Sequence, residues 1–543
     1  KVNITIKDLR LYDVLIYETT VNSEFQEKDF IRREFFRYVF VTPDNYWAYG
    51  YYEFKVINNG IKPIAYKENF FRDGQGALIN QDQKVLQPGA EFLFLQKDYL
   101  NPVDQNREIY PFVDFVTESN WTELSNYISA IYQDIIAKQA FSEFAPELKK
   151  TLDDIDNKER QIAYAIEYVQ NNIKYIYDAE AMHGHKPQEA AITYTNKQGD
   201  CKAKCILLKV ILDYLNVKSD IILVNYGTDF YHRYYLPSLL SFNHVVLKIN
   251  HNGNDYFVDA TSTDEYGFLE NRGFISFCHY LEINPDKALE KRGSFRYPQF
   301  CVEEKVTFSV QKEVGELNLQ TVFRHERANN IRRYFKNTNK QQIIDNWLNM
   351  FADSLSYSRD RHDQDLRTVF ENVELNLTED NKELNEVTVK FSAKVNHPYF
   401  VDKNKNNRRF LMFFDYDMVN RDVQTYNQQQ DFTYWHYLQS DKREIHLSTD
   451  LKIDTREKYT VQECDINNPY FTHKVKKEIT KHSGSAFIEY NPVANIEVPQ
   501  QDIPRLKADY SIVADSNYGI GIDIIEPGFL NELAFSIKRL VGN

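Results

Sequence analysis

The chain has 543 residues, 42% hydrophobic, 15% aromatic and 27% charged, which is the make-up of a folded globular protein and excludes disordered and fibrous classes. Its 18 glycines and 16 prolines are about half the usual share, so long flexible linkers and collagen-like segments are excluded too. A net charge of -14 without a dense Lys/Arg cluster argues against nucleic-acid binding.

At about 100 to 200 residues per domain, this length predicts three or four domains. Residues 1–120 read as a β-rich domain: Val2, Ile4 and Ile6 alternate, and Tyr52, Phe54 and Val56 alternate before Asn58-Asn59-Gly60. At Trp121 the period lengthens. Leu124, Tyr127, Ile128, Ile131 and Ile135 recur at three and four, as do Ile162, Ile166, Val169 and Ile173, predicting two amphipathic helices. A third helix is expected over about 200–215, followed by strands near 221–225, 242–249 and 256–259, so residues 121–295 form an α+β unit. Residues 296–543 return to β structure, as one or two domains. Val306, Phe308 and Val310 face Leu317, Leu319 and Phe323 across a turn at 313–315, and Val373, Leu375 and Leu377 precede Val387, Val389, Phe391, Ala393 and Val395. A helical stretch over about 327–355 interrupts these strands, and a last helix follows Pro527 with Leu530, Leu533, Ile537 and Leu540. The most apolar mid-chain stretch, 205–215, is broken by Lys209 and Asp213, far short of the roughly 20 residues of a membrane span. Alternating Tyr and Phe are read as sheet core, not as a carbohydrate platform. The five cysteines, Cys201, Cys205, Cys278, Cys301 and Cys464, are too sparse for a disulfide framework.

Chemistry concentrates in Gly199-Asp200-Cys201-Lys202-Ala203-Lys204. Gly199 suits a sharp turn, Asp200 is a preferred helix cap, and Cys201 falls in the first helical turn, where unpaired amides and the macrodipole favour a thiolate. A nucleophile needs a base, and the base an orienting group. His244 opens a predicted strand and Asp259 closes the next, with Asn250-His251-Asn252-Gly253 between them as the turn. Centring the hairpin between His251 and Asn252 puts His244 directly opposite Asp259, with Cβ atoms about 5 Å apart. A register displaced by two leaves them diagonal neighbours, whereas a displacement of one separates them to opposite faces. A helix packed on this hairpin presents Cys201 to His244. The backbone N–H of Cys201 is one expected oxyanion donor. Gln188, Tyr194, Asn196 and Gln198 are candidates for the second, with Gln188 placed first. Cys205, one turn beyond Cys201, is read as core. A zinc site on Cys201, Cys205, His244 and Cys278-His279 is a rival by spacing, but it leaves Asp259 without a role, so neither metal nor cofactor is expected. His183-Gly184-His185 reads as an exposed loop.

With Lys186-Pro187-Gln188-Glu189-Ala190, Gly199-Asp200-Cys201-Lys202-Ala203-Lys204-Cys205-Ile206-Leu207-Leu208, Phe242-Asn243-His244-Val245-Val246 and Phe257-Val258-Asp259-Ala260-Thr261, the chain resembles the bacterial transglutaminase-like superfamily over about 121–282. The resemblance implies a multidomain α+β protein, a papain-like core between antiparallel, sandwich-like β domains, with Cys201, His244 and Asp259 catalytic. It also implies export to the periplasm or cell surface, in keeping with a start at Lys1 without a leader, whereas the N-terminal domain departs from the family pattern in being shorter than is usual. The function expected is acyl transfer on peptide or amide substrates, chiefly hydrolysis by a peptidase or amidase. Cross-linking to an amine acceptor is one alternative. A non-catalytic scaffold of the cell envelope, with the β domains binding another envelope component, is the other.

Overall fold

The computed structural model describes residue 10 and residues 35–39, 51–71, 78–80, 82–96, 112–116, 120–137, 140–177, 186–226, 232, 234–355, 366–402, 408–414, 432–435, 439–455, 463–515 and 519–525. The strand expected around Val2, the His183-Gly184-His185 loop and the helix after Pro527 lie outside them.

The architecture is mixed α+β with many antiparallel sheets. Near the N-terminus, strand Phe112–Val116 pairs with both Phe35–Val39 and Ile64–Phe71, and Tyr52–Ile57 pairs with Glu91–Gln96. A small core of Leu86, Phe92, Val113 and Phe115 holds these strands together.

Helices follow from Trp121. Trp121–Ile136 is capped by Asn120, whose side chain accepts from the Glu123 N–H, and it buries Leu124, Tyr127, Ile128, Tyr132 and Ile135. Lys158–Asn172 is capped in the same way by Asn157 and buries Ile162, Ala165, Ile166 and Val169. Both pack around Cys201–Tyr214, in which Ile206, Leu207, Leu208, Ile211 and Leu212 are fully buried. That helix lies on a five-stranded antiparallel sheet ordered Asn254–Val258, His244–His251, Ser219–Val224, His279–Glu282 and Leu289–Lys291. Three further helices, Phe141–Phe144, Pro146–Asp153 and Ala190–Asn196, are too short to show a clear period in the sequence.

From Val302 onward an eight-stranded sheet and a four-stranded sheet share one hydrophobic core, in which Val306, Phe308, Phe391 and Ile488 meet Leu411, Phe413, Ile520 and Ile522. The expected facing pairs are present, Val306 with Leu319 and Phe308 with Leu317. Their turn is Lys312-Glu313, however, both residues at positive φ, and not 313–315. The helical stretch is two helices, His325–Asn337 and Lys340–Ser354, the second restarted by an Asn339 cap.

Side-chain contacts link this part of the chain to residues 121–295 and order its own first segment. Arg160 pairs with Glu383 at 2.7 Å, Lys336 with Asp264 at 3.0 Å, and the rings of His325 and Tyr297 stack at 3.8 Å.

Candidate active site

Cys201 is the first residue of its helix and is 8% exposed. Asp200 caps that helix through Oδ1, which accepts from the Ala203 N–H at 3.0 Å, while its Oδ2 pairs with the Lys202 ammonium. Both charged side chains are buried, so the ammonium offsets a carboxylate that would otherwise oppose negative charge on the neighbouring sulfur. As a first-turn residue, Cys201 keeps its own N–H outside the helical ladder and available to an oxyanion.

Gly199 serves this arrangement by close approach. A Cβ there would lie 2.6 Å from Ala203 Cβ and 3.2 Å from Thr193 Cγ2. The sharp backbone expected of it falls instead on Lys197, at φ 55°. Residues 198–199 pair in parallel with 174–175, which fixes the approach to the helix.

The hairpin register differs from expectation by two. Asn252 and Gly253 take φ values of 52° and 81°, both positions of a two-residue turn that suits Asn-Gly. His251 therefore pairs with Asn254, and Leu247 with Val258. His244 and Asp259 are diagonal, not opposite, and their side chains still meet, with His244 Nε2 to Asp259 Oδ2 at 2.9 Å. The Cys201 side chain is the other group that acts on the His244 ring.

Asp259 is held by four donors. Oδ1 accepts from the Thr261 N–H at 2.8 Å and the Thr261 hydroxyl at 2.7 Å, and Oδ2 accepts from His244 and from the Tyr226 hydroxyl at 2.9 Å. Burial opposes its ionisation, but the bonds from His244 and Thr261 outweigh burial and hold its pKa below the usual carboxylate value. For His244, burial favours the neutral ring, yet the bonds to Asp259 and Cys201 win and raise its pKa to about 9.

Tyr226, Gln170 and Lys204 complete the site and were not anticipated as parts of it. The Tyr226 ring lies 4.7 Å from the His244 ring, and its backbone N–H is fixed by Asn243 Oδ1 at 3.0 Å. Gln170 Nε2 donates to the Asp259 carbonyl and to Glu265 Oε2, both at 2.8 Å, and Gln170 Oε1 accepts from Arg272 at 3.2 Å. Buried Lys204 donates to the Ile173 and Gln170 carbonyls at 2.7 and 3.2 Å, capping the end of helix Lys158–Asn172; burial lowers its pKa to about 8.

The remaining expectations fall out as follows. Gln188 is turned into its own loop, its Nε2 donating to Thr193 Oγ1 at 3.0 Å and to the Gln198 carbonyl at 3.2 Å. Both amide protons have local acceptors, so its role as an oxyanion donor is not supported by this geometry. Tyr194 packs on Tyr168 and lies under the Lys197 ammonium at 3.5 Å. Cys205 is fully buried, with Sγ 3.3 Å from the Val245 carbonyl, and burial pushes its thiol pKa up. Cys278 is buried and its Sγ faces Asn495 Oδ1 at 3.7 Å. Among the described residues, no three His, Cys, Asp or Glu side chains gather as a metal-binding group.

No family model matches the chain, and no curated protein matches it. Solved structures are similar to it, among them the following two. One, described as a "putative protease" from Parabacteroides distasonis, has a TM-score of 0.45 and 11% identity, covering 87% of this chain and 72% of that one. The other, described as a "putative cysteine protease" from Cytophaga hutchinsonii, has a TM-score of 0.19 and 14% identity, covering 42% and 71%. At these values neither likeness carries an assignment of function.

Proposed function

We propose that the chain is a cysteine-nucleophile acyl transferase acting on peptide or amide bonds, and that it transfers the acyl group to water. The observation that supports this best is the placement of His244, bonded to Asp259 at 2.9 Å and acted on by Cys201 at the start of its helix.

The step is balanced by these side chains alone. The Cys201 thiolate attacks the carbonyl carbon and a C–S bond forms as the carbonyl oxygen takes the negative charge, which the Cys201 N–H stabilises. The C–N bond then breaks, and the amine leaves with the proton of the His244 imidazolium. Neutral His244 next takes a proton from water, whose oxygen attacks the thioester. The C–S bond breaks, the acid departs and the thiolate–imidazolium pair is restored. Asp259 keeps the ring oriented and stabilises its charge throughout.

A peptide-library digest followed by mass spectrometry tests the reading. New peptide termini are expected with the native chain and none with Cys201→Ala. Glutamine-to-lysine cross-links in place of new termini would assign the acceptor as an amine, and no Cys201-dependent product in either form would remove the enzymatic reading.

A further inference from the structure

A cavity of about 460 Å³ opens at the Asp259 end of the site, within the range of about 300 to 1,000 Å³ usual for ligand pockets. Asp259, Tyr226 and Phe274 form one wall. The opposite wall is helix His325–Asn337, which contributes Glu326 and Arg333. Gly273 sits in the seam: a Cβ there would lie 2.9 Å from Glu265 Oε1 and 3.4 Å from Glu326 Cβ, so a side chain at this position would crowd both sides of the gap. The helix is anchored across the gap, since Arg333 Nη1 donates to the Thr263 carbonyl at 3.0 Å.

The charges around the cavity decide what fits it. Asp259 is matched by His244. Glu265 accepts from Gln170 and has Arg272 at 3.6 Å, and the Arg333 guanidinium is committed to Thr263 and Asn330. Glu326 is exposed and, among the described residues, makes no hydrogen bond or ion pair. The rings of Tyr226 and Phe274 line the cavity and give a methylene stem apolar surface, Phe274 itself being held between the Phe295 ring at 4.9 Å and the Arg292 guanidinium at 4.3 Å. Position decides which part of a substrate arrives. The leaving amine takes its proton from His244, so the chain beyond the broken bond departs on the imidazole side, toward Asp259 and the cavity.

We propose that this cavity is a subsite for a lysine or arginine side chain in the leaving part of a peptide substrate, with Glu326 as its counter-ion. The proposal rests on the acyl-transfer reading above for the direction of the chain. It also gives the C-terminal β region a part in specificity, because Glu326 belongs to a helix of that region.

Binding to the Cys201→Ala chain tests it without turnover, by calorimetry with Nα-acetyl-lysine N-methylamide and the corresponding norleucine compound as probes. The lysine probe is expected to bind at least about tenfold more tightly than norleucine, and Glu326→Gln to erase that difference. Glu326 is exposed, and a thermal melt checks that the variant stays folded. Equal binding of the two probes, including none by either, overturns the proposal, as does a lysine preference that survives Glu326→Gln. Failure of the acyl-transfer reading shows elsewhere, as a Cys201 no more reactive than a free thiol, and leaves the probe measurement to decide the cavity by itself.

Discussion

His244 and Asp259 are joined by a 2.9 Å hydrogen bond although the hairpin does not place them opposite each other. The regular ladder ends at Leu247 and Val258, and the chain beyond Val258 turns through Thr261, whose backbone and hydroxyl both donate to Asp259 Oδ1. That local turn aims Oδ2 back at the imidazole. Thr261 therefore positions the carboxylate as much as the hairpin does.

Asp259→Asn is expected to lower turnover by about 10⁴, the loss seen when the carboxylate behind a catalytic histidine is replaced by an amide. An amide cannot stabilise the imidazolium, so the His244 pKa should fall from about 9 toward the ordinary value of about 6.5. Histidine NMR titration of the two proteins reads this. An unchanged His244 titration would contradict the assigned partnership.

The raised pKa of His244 sets the pH behaviour. Its folded-state pKa of about 9 lies above the unfolded value of about 6.5, so the stability it contributes is fully present below pH 6.5 and is lost as pH rises to about 9. Asp259 has the opposite sign. Its depressed pKa contributes stability that is present above about pH 4 and is lost as pH falls below that. The imidazolium is the acid that releases the amine, so kcat/KM should fall on the alkaline side with an apparent pKa near 9. A pH–rate profile beside denaturant melts at each pH checks both statements, and an alkaline limb near pH 6.5 would contradict the first.

Tyr226→Phe keeps the ring against His244 and removes only the hydroxyl that donates to Asp259. A hydrogen bond to a charged group contributes about 1.5 to 3 kcal/mol to stability, so the melt should report a loss of up to about that amount. With one donor gone, Asp259 holds more charge for the imidazolium, and the alkaline limb should move upward. The pH–rate profile separates the roles, since a merely structural tyrosine would shift the melt alone and leave the alkaline limb in place.

Gly199→Ala puts a methyl group 2.6 Å from Ala203 Cβ, which the start of the Cys201 helix can relieve only by moving. A loss of about 1 to 3 kcal/mol in stability is expected, together with slower alkylation of Cys201. Chemical melts and thiol labelling of the same samples measure both, and unchanged labelling would show that the helix start tolerates the shift.

Much of this site was legible in the sequence because its signals are local. The Asp200 cap, the apolar period of Cys201–Tyr214 and the Asn-Gly turn each act within a few residues, and the helix falls within a residue of its expected ends at 200 and 215. The register was misplaced by two because the turn was centred on His251 and Asn252, whereas two consecutive residues at positive φ sit best on Asn252-Gly253. Side chains on the same face at an even displacement remain neighbours, so the pair survived the error. Tyr226 could not be found in this way. It lies two residues past strand Ser219–Val224, outside any period, and only the folded sheet brings it to His244. The same limit hid the parallel pairing of Val302–Gln311 with Asp441–Thr449, since alternation shows which face of a strand is buried and not which distant strand lies beside it. The hairpin Val302–Gln311 to Val314–Arg324 turns on Lys312-Glu313 without a glycine, so composition pointed to Gly315 instead.

The most direct test of the account is alkylation of the native chain with iodoacetamide between pH 4 and 9, with all five cysteines followed by mass spectrometry and His244→Ala run in parallel. Rapid labelling of Cys201 at pH 5 to 6, far below the free thiol pKa of about 8.5, and a marked slowing in His244→Ala are the predicted result. Labelling of Cys201 only at alkaline pH, at a rate indifferent to His244→Ala, would contradict the thiolate–imidazolium pair on which the proposed function stands.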